Sequence, residues 1–278
     1  MSFLLPKSQE RPNQRPPRRV EPASIIAVGS GKGGVGKTFM SITLASAMAQ
    51  AGKRTLLVDG DLGLANVDVQ LGIAPETDLA AVIAGWVELE DAVTPVDGGS
   101  GQGGFDVLPG RSGSGALAEL SSEEVARLAA GLSALALQYD QVILDLGAGI
   151  EANCMRLARA ADKVLMVITD EPTSMTDAYA FIKVLKGYAP SVEQTIAINQ
   201  CETRAAGQST YSAVAQACQT FLGFRPHLAG TVMRDDAVRE AIRSQRTLIS
   251  TNSSSQPIQD VIAIAHTLLG RTGQDLHA

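Results

Sequence analysis

Seven short runs rich in Val, Ile and Leu recur along the chain, at residues 24–28, 54–59, 105–108, 141–146, 163–169, 195–199 and 228–232. They are near-continuous in apolar residues rather than alternating, as strands buried on both faces are. Longer stretches lie between them, at 38–50, 122–137, 151–159, 173–186, 209–222 and 235–244. Their apolar residues fall three and four apart, and they read as helices. Strand and helix alternate, which predicts an α/β fold: three layers, with a mostly parallel twisted sheet flanked by helices. Ligands of such a sheet sit at the carboxyl ends of its strands, so the residues that follow each run are the candidates for chemistry. A last amphipathic stretch, 257–270, sets Ile258, Val261, Ile262, Ala265, Leu268 and Leu269 on one face. Its polar side carries Gln259, Asp260, His266 and Thr267 instead of lysines, so it is expected to pack on the domain rather than lie on a membrane.

The first run leads into GSGKGGVGKT, residues 29–38, and then into a proline-free helical stretch. Strand, glycine loop and helix form the context of a phosphate-binding loop, and the spacing Gly31, four residues, Gly36, Lys37, Thr38 completes it. Gly31, Gly33, Gly34 and Gly36, with Val35 between the last two, let backbone N–H groups turn inward toward an anion. The helix that follows adds its positive end. Lys37 is expected to reach the β- and γ-phosphates, and the Thr38 hydroxyl to ligate Mg²⁺. An ordinary glycine turn before a helix would need few of these residues at these positions. Lys32 is a second lysine inside the loop. Its residue type alone leaves it either a solvated charge or a ligand.

Two later runs end in carboxylates. The second closes on Asp59-Gly60-Asp61. One such group could orient an attacking water or hold a metal's water shell, or it could simply cap a turn. The fourth run ends in Asp145, followed by Leu146-Gly147-Ala148-Gly149. An apolar strand closed by Asp is the second half of a nucleotide site, its carboxylate accepting from Mg²⁺-bound water or from Thr38. The sixth ends in Asn199-Gln200. An amide there offers both a donor and an acceptor to a base, though a turn asparagine would look the same. No guanine-reading NKxD sequence occurs, so ATP is the expected nucleotide.

Composition changes this picture only at the margins. The 278 residues are 45% hydrophobic and 4% aromatic, giving an aliphatic core for one large domain. The three cysteines, Cys154, Cys201 and Cys218, lack disulfide or zinc spacing, which suits a reducing cytoplasm. No run of 18 apolar residues and no signal-peptide pattern occurs. The net charge of −6 argues against a protein that coats nucleic acid. Residues 1–23 differ from the rest. Within residues 1–19, Lys7, Arg11, Arg15, Arg18 and Arg19 face only Glu10, and five prolines interrupt 1–23. A disordered basic tail is expected at 1–23, a nucleotide-binding domain at 24–270 and a flexible end at 271–278.

GKGGVGKT resembles the deviant Walker A loop of the MinD/ParA ATPase family. Five further stretches resemble that family's flagellar-number regulators, the FlhG/FleN group: DGDLGLANVD at 59–68, LPGRSGSGALAEL at 108–120, DLGAGI at 145–150, EPTSMTDAYAFIK at 171–183 and RDDAVREAIRSQRTLI at 234–249. The resemblance implies a slow, partner-stimulated ATPase that uses ATP and Mg²⁺ and forms a homodimer when ATP is bound. It gives Lys32 a role, crossing to the partner subunit's nucleotide. It makes Asp61 the water-positioning aspartate of a first switch segment, which also holds Asn66. Asp145 then begins the second switch, and Asn199 pairs with the adenine edge.

The same resemblance implies a flagellar partner, an FlhF-like GTPase or a transcriptional activator, and peripheral contact with the inner membrane. Three departures bear on it. The tail lacks the DQAxxLR-like motif used on the GTPase, the C-terminal stretch lacks a basic face, and Met233 stands where relatives often have proline. Two other readings stay open. Arg234, Arg239, Arg243 and Arg246 form a stripe that a ParA-type segregation ATPase could lay on DNA, although Glu240 and the acidic whole oppose it and DNA is not the expected partner. A regulator that binds ATP, barely hydrolyses it and sequesters a transcriptional activator is the other.

Overall fold

The computed structural model describes residues 23–110, 120–245 and 254–270. All its strands join one eight-stranded sheet in the order β3-β4-β2-β5-β1-β6-β7-β8. These are β1 (Ser24–Ser30), β2 (Thr55–Gly60), β3 (Thr94–Val96), β4 (Phe105–Leu108), β5 (Gln141–Ala148), β6 (Lys163–Ile168), β7 (Glu193–Cys201) and β8 (His227–Met233). Every pairing is parallel except the edge pair β3–β4. The α/β three-layer expectation holds, and all seven runs read from the sequence are strands. The eighth, β3, carries Pro95, which lacks a ladder donor and fits only an edge.

The sheet divides the core in two. Alternate residues of the central strands face opposite layers: Ile25 and Ala27 pack with Leu56, Val58, Val142 and Leu144, whereas Ile26 and Val28 pack with Leu57 and Ile143. The first face is covered by α4 (Ser122–Leu135), α5 (Ala152–Arg159), α6 (Pro172–Tyr188) and α7 (Arg204–Leu222). The second is covered by α1 (Lys37–Gln50), by α9 (Gln256–Leu268), and by parts of α2 (Val67–Leu71) and α8 (Asp236–Arg243). A further short helix, α3 (Leu79–Ile83), joins the first layer through Leu79.

Helix α1 has no charged residue after Lys37 and is buried from Thr38 to Ala49. The sheet covers one side of it and α9 another, through Ile258, Val261, Ile264 and Leu268. The C-terminal amphipathic stretch thus packs on the domain, as its weakly charged polar side implies. Asp260 departs from expectation: it is buried, not solvated. Helix α7 begins five residues before the predicted start, at a Thr203 cap whose hydroxyl accepts from Ala206 N–H. Gly207 interrupts the helical pattern there because the chain needs no side chain: a Cβ would meet Thr231 Cγ2 at 2.8 Å.

Among the described residues no helix is long and apolar enough to cross a membrane. The basic tail, the end at 271–278, most of the 108–120 motif and Arg246 lie outside the described residues.

Candidate nucleotide-binding site

The phosphate-loop candidates stand where β1, at the centre of the parallel strands, hands over to α1. The four glycines have different reasons to be glycine. Gly34 and Gly36 have φ of 80° and 89°, a conformation other residues adopt only with strain. Gly31 lies against α6, where a Cβ would stand 2.2 Å from the Asp177 carbonyl carbon. Gly33 has open space around it, with nothing within 4 Å of a built Cβ. Its backbone is free to face a ligand.

Below the loop, Asp145 is fully buried. Its carboxylate accepts the Ser41 hydroxyl at 2.9 Å and a hydrogen bond from Thr38. Burial pushes its pKa upward, against the opposing pull of Lys37 and the two hydroxyls. A buried carboxylate beside hydroxyl oxygens is an oxygen donor set of the kind a hard divalent cation takes. Asp145 and Thr38 fit Mg²⁺ on that ground.

Asp59 is the carboxylate of the Asp59-Gly60-Asp61 pair to which sequence reasoning gave no role of its own. It is the cross-strand partner of Asp145 in the β2–β5 ladder. Burial, and then Asp145, raise its pKa to about 7. Its oxygens accept backbone N–H from Asp61, Asn66 and Val67 at 3.0–3.2 Å, pinning the loop after β2. Asp61 itself lies against Gly147, with Oδ1 3.4 Å from where a Cβ would be. That oxygen also accepts N–H from Gly63 and Leu64, so it organises the turn as well. A cavity of about 350 Å³ opens between Asp61, Gly63, Gly147 and Glu151. Asn66 stays within its own loop, donating to Leu64 O and accepting from Gln70.

On the other side of the loop is a cavity of about 290 Å³. Asn199 lines it, with Gly36 and Phe39 beside it and Met233, Arg234 and Ile242 opposite. Asn199 also ties the walls together, since Nδ2 donates to Val35 O at 2.8 Å. One amide N–H is therefore committed to the loop, leaving the second N–H and Oδ1 for a base. Gln200, in a left-handed conformation with φ 60°, donates in the same way to Gly34 O. Gln200 was marked in the sequence by its place at a strand end, and Met233 by standing where relatives often have proline.

Lys32 is separate from this cluster. Its ammonium donates to Glu171 Oε2 at 2.5 Å and to Thr173 Oγ1 at 3.2 Å, both at the start of α6. These partners belong to the EPTSMTDAYAFIK stretch. Two of the arginines proposed for a DNA stripe are occupied by acids: Arg234 by Glu202 at 2.8 Å and Arg239 by Asp236 at 3.7 Å.

The chain is similar to known proteins over most of its length. The model of an AAA domain family, AAA_31, matches residues 23–198. Antiactivator FleN of Pseudomonas aeruginosa is 38% identical over 229 residues, which is 82% of this chain and 80% of that protein. Flagellum site-determining protein YlxH of Helicobacter pylori is 28% identical over 89% of this chain and 82% of its own length. The solved structure of septum site-determining protein MinD from Pyrococcus horikoshii, complexed with Mg-ADP, shares the fold: its TM-score is 0.74 at 24% identity, covering 88% of this chain and 96% of that one. Identity of 38% across four-fifths of a relative reaches well beyond a shared sheet, and the chain belongs to the MinD/ParA family of ATP-hydrolysing P-loop proteins, in its FleN/FlhG group.

Proposed function

We propose that the protein is an ATP-driven switch that sets flagellar number or placement, or flagellar gene expression, by engaging a partner in one nucleotide state. The observation that carries the reading is the meeting of Thr38, Ser41 and Asp145 beneath a glycine loop that Asn199 ties to the neighbouring cavity. ATP lies with its phosphates on residues 31–38 and its base against Asn199. Mg²⁺, when bound, neutralises charge on the phosphates, and Thr38 and Asp145 are the residues that hold it. Lys37 stabilises charge on the transferred phosphoryl group, and Asp61 orients the attacking water. Lys32 leaves Glu171 and reaches the nucleotide of a second copy that closes face to face. Hydrolysis releases the loops that carry Asp61 and Gly147, and the difference in affinity between nucleotide states drives partner exchange.

Similarity to an antiactivator and to a flagellum site-determining protein supports the flagellar role. A transcriptional activator is the favoured partner over an FlhF-like GTPase, because the relative at 38% identity is an antiactivator. Peripheral membrane contact is the weaker part of the proposal, since α9 uses its apolar face inside the domain. Similarity to flagellar proteins, and not the exposed ion pairs of Arg234 and Arg239, is what favours the flagellar reading over DNA segregation. Single-turnover hydrolysis tests the enzyme. Asp61→Ala should bind ATP yet hydrolyse it about 100-fold more slowly or worse. Undiminished hydrolysis by that variant would remove Asp61 from the mechanism, and a wild-type protein that binds no ATP would end the proposal.

A further inference from the structure

The C-terminal helix holds one wall of the base cavity. Asp260, in the second turn of α9, is 6% exposed, and a carboxylate so deeply buried needs donors on its oxygens. It has three. Oδ1 receives the Arg204 guanidinium and Gln256 Nε2, the latter at 2.9 Å, and Oδ2 receives the backbone N–H of Met233 at 2.9 Å. Met233 is the last residue of β8 and lines the cavity beside Asn199. Arg204 is the first residue of α7, just beyond the Asn199-Gln200-Cys201 end of β7, and it also donates to Thr231 O of β8. Arg234 N–H closes the figure by donating to Cys201 O at 2.9 Å. The ends of β7 and β8, neighbours in the sheet and paired at Cys201 and Met233, are thus tied further by side chains, and one of these links passes through a carboxylate from α9.

Packing of α9 does not require this carboxylate. Ile258, Val261, Ile264 and Leu268 are already buried against α1 and the sheet. A leucine at 260 would meet the ordinary demands of an amphipathic helix without needing partners. A charge kept there, aimed at a backbone N–H at the root of the residue 233–236 loop, acts on that loop's position.

We infer that Asp260, with Arg204, is a positioning residue for base recognition: it fixes the Met233 wall relative to Asn199 and so sets how tightly, and how selectively, the site holds the adenine end of its nucleotide. The inference rests on the cavity being the base site of the proposed ATPase. It gives the C-terminal helix a direct part in nucleotide affinity.

The test compares binding of Mg-ATP with binding of Mg-tripolyphosphate to the full chain. The ratio of the two affinities isolates the base and ribose contribution. Asp260→Asn keeps the shape, but its NH₂ faces either the Arg204 guanidinium or the Met233 N–H, so one link must break. That variant should weaken ATP about tenfold, the worth of roughly one buried charge-assisted hydrogen bond, and leave tripolyphosphate within about twofold. Discrimination of ATP against GTP should fall with it. Arg204→Gln, altered at the exposed end of the network, should move the ratio in the same direction and serves if Asp260→Asn does not fold. Ile264→Val loosens α9 packing without touching the network and should lower the melting temperature with the ratio unchanged. An unchanged ratio in a folded Asp260→Asn or Arg204→Gln protein overturns the inference, as does an equal loss of both ligands or a ratio that shifts in Ile264→Val. If the wild-type chain binds neither ligand, the nucleotide-site proposal itself fails; if it binds both equally, the cavity is not a base site.

Discussion

Lys32 and Glu171 form a short ion pair across the top of the phosphate loop, Nζ to Oε2 at 2.5 Å. The lysine expected to serve a second subunit is therefore held within its own chain. The pair is largely solvated, its side chains 40% and 60% exposed. Exposed pairs of this kind contribute about 0–1 kcal/mol, so releasing the lysine costs little. Lys32→Ala should accordingly leave the thermal stability of the nucleotide-free protein nearly unchanged, and a melting curve reads this directly. A large destabilisation would mean that Lys32 is a structural residue.

The glycines of the loop should differ under substitution. Gly31→Ala drives a methyl into the Asp177 backbone of α6, which must shift. A loss of about 1–3 kcal/mol, with weaker ATP binding, is expected. Gly33→Ala meets nothing in the chain and should unfold at nearly the wild-type denaturant midpoint. Its effect should fall on ATP affinity alone. Equal destabilisation of the two variants would contradict the close approach of α6.

Asp145→Asn removes a carboxylate whose ionised form burial disfavours. The nucleotide-free variant should be as stable as the wild type or more so, while Mg²⁺-dependent hydrolysis falls about 100-fold or more. Calorimetric melting and an assay across Mg²⁺ concentrations check the two halves separately. A destabilised variant would show that Asp145 holds the fold through Ser41 and Thr38 rather than the metal.

The buried thiols give a pH dependence with a definite sign. Burial raises Cys201 and Cys218 to about 11 and Cys154 to about 12, against an ordinary value of 9.0. A raised acid binds more protons folded than unfolded across that window. Its contribution is therefore complete below pH 9 and is lost as pH rises through 11 to 12. Replacing Cys218, which is fully buried, by Ala should flatten the alkaline fall of stability measured by urea unfolding between pH 8.5 and about 10.5. The native thiols should also react slowly with a maleimide at pH 8. Rapid labelling of Cys218 in the folded protein would contradict its burial.

Much of this was legible before the structure. The doubly buried runs that became β1, β5 and β6 have no other stable use, and Lys37, Thr38 and Asp145 sit at spacings that their chemistry dictates. Strand β3 was not legible, because three residues including Pro95 become a strand only by pairing with β4. The short helices α2 and α3 have one turn or little more, too little for a periodicity to show. The start of α7 was misread because Gly207 answers to Thr231 and Cys201, which touch it only in the fold. The surroundings of Asp59 and Asp260 were hidden for the same reason. Asp59 is held by backbone N–H groups, which leave no mark in the side-chain pattern, and Asp260 meets Arg204 and the Met233 N–H only in the fold.

The proposed switch depends on two copies sharing their nucleotides through Lys32. Sedimentation velocity on Asp61→Ala, with and without a second change of Lys32→Ala, tests it most directly. With Mg-ATP the Asp61→Ala protein should be dimeric, and with Mg-ADP monomeric. The double variant should bind ATP and remain monomeric in both. A double variant that dimerises with ATP as readily as Asp61→Ala would contradict the account.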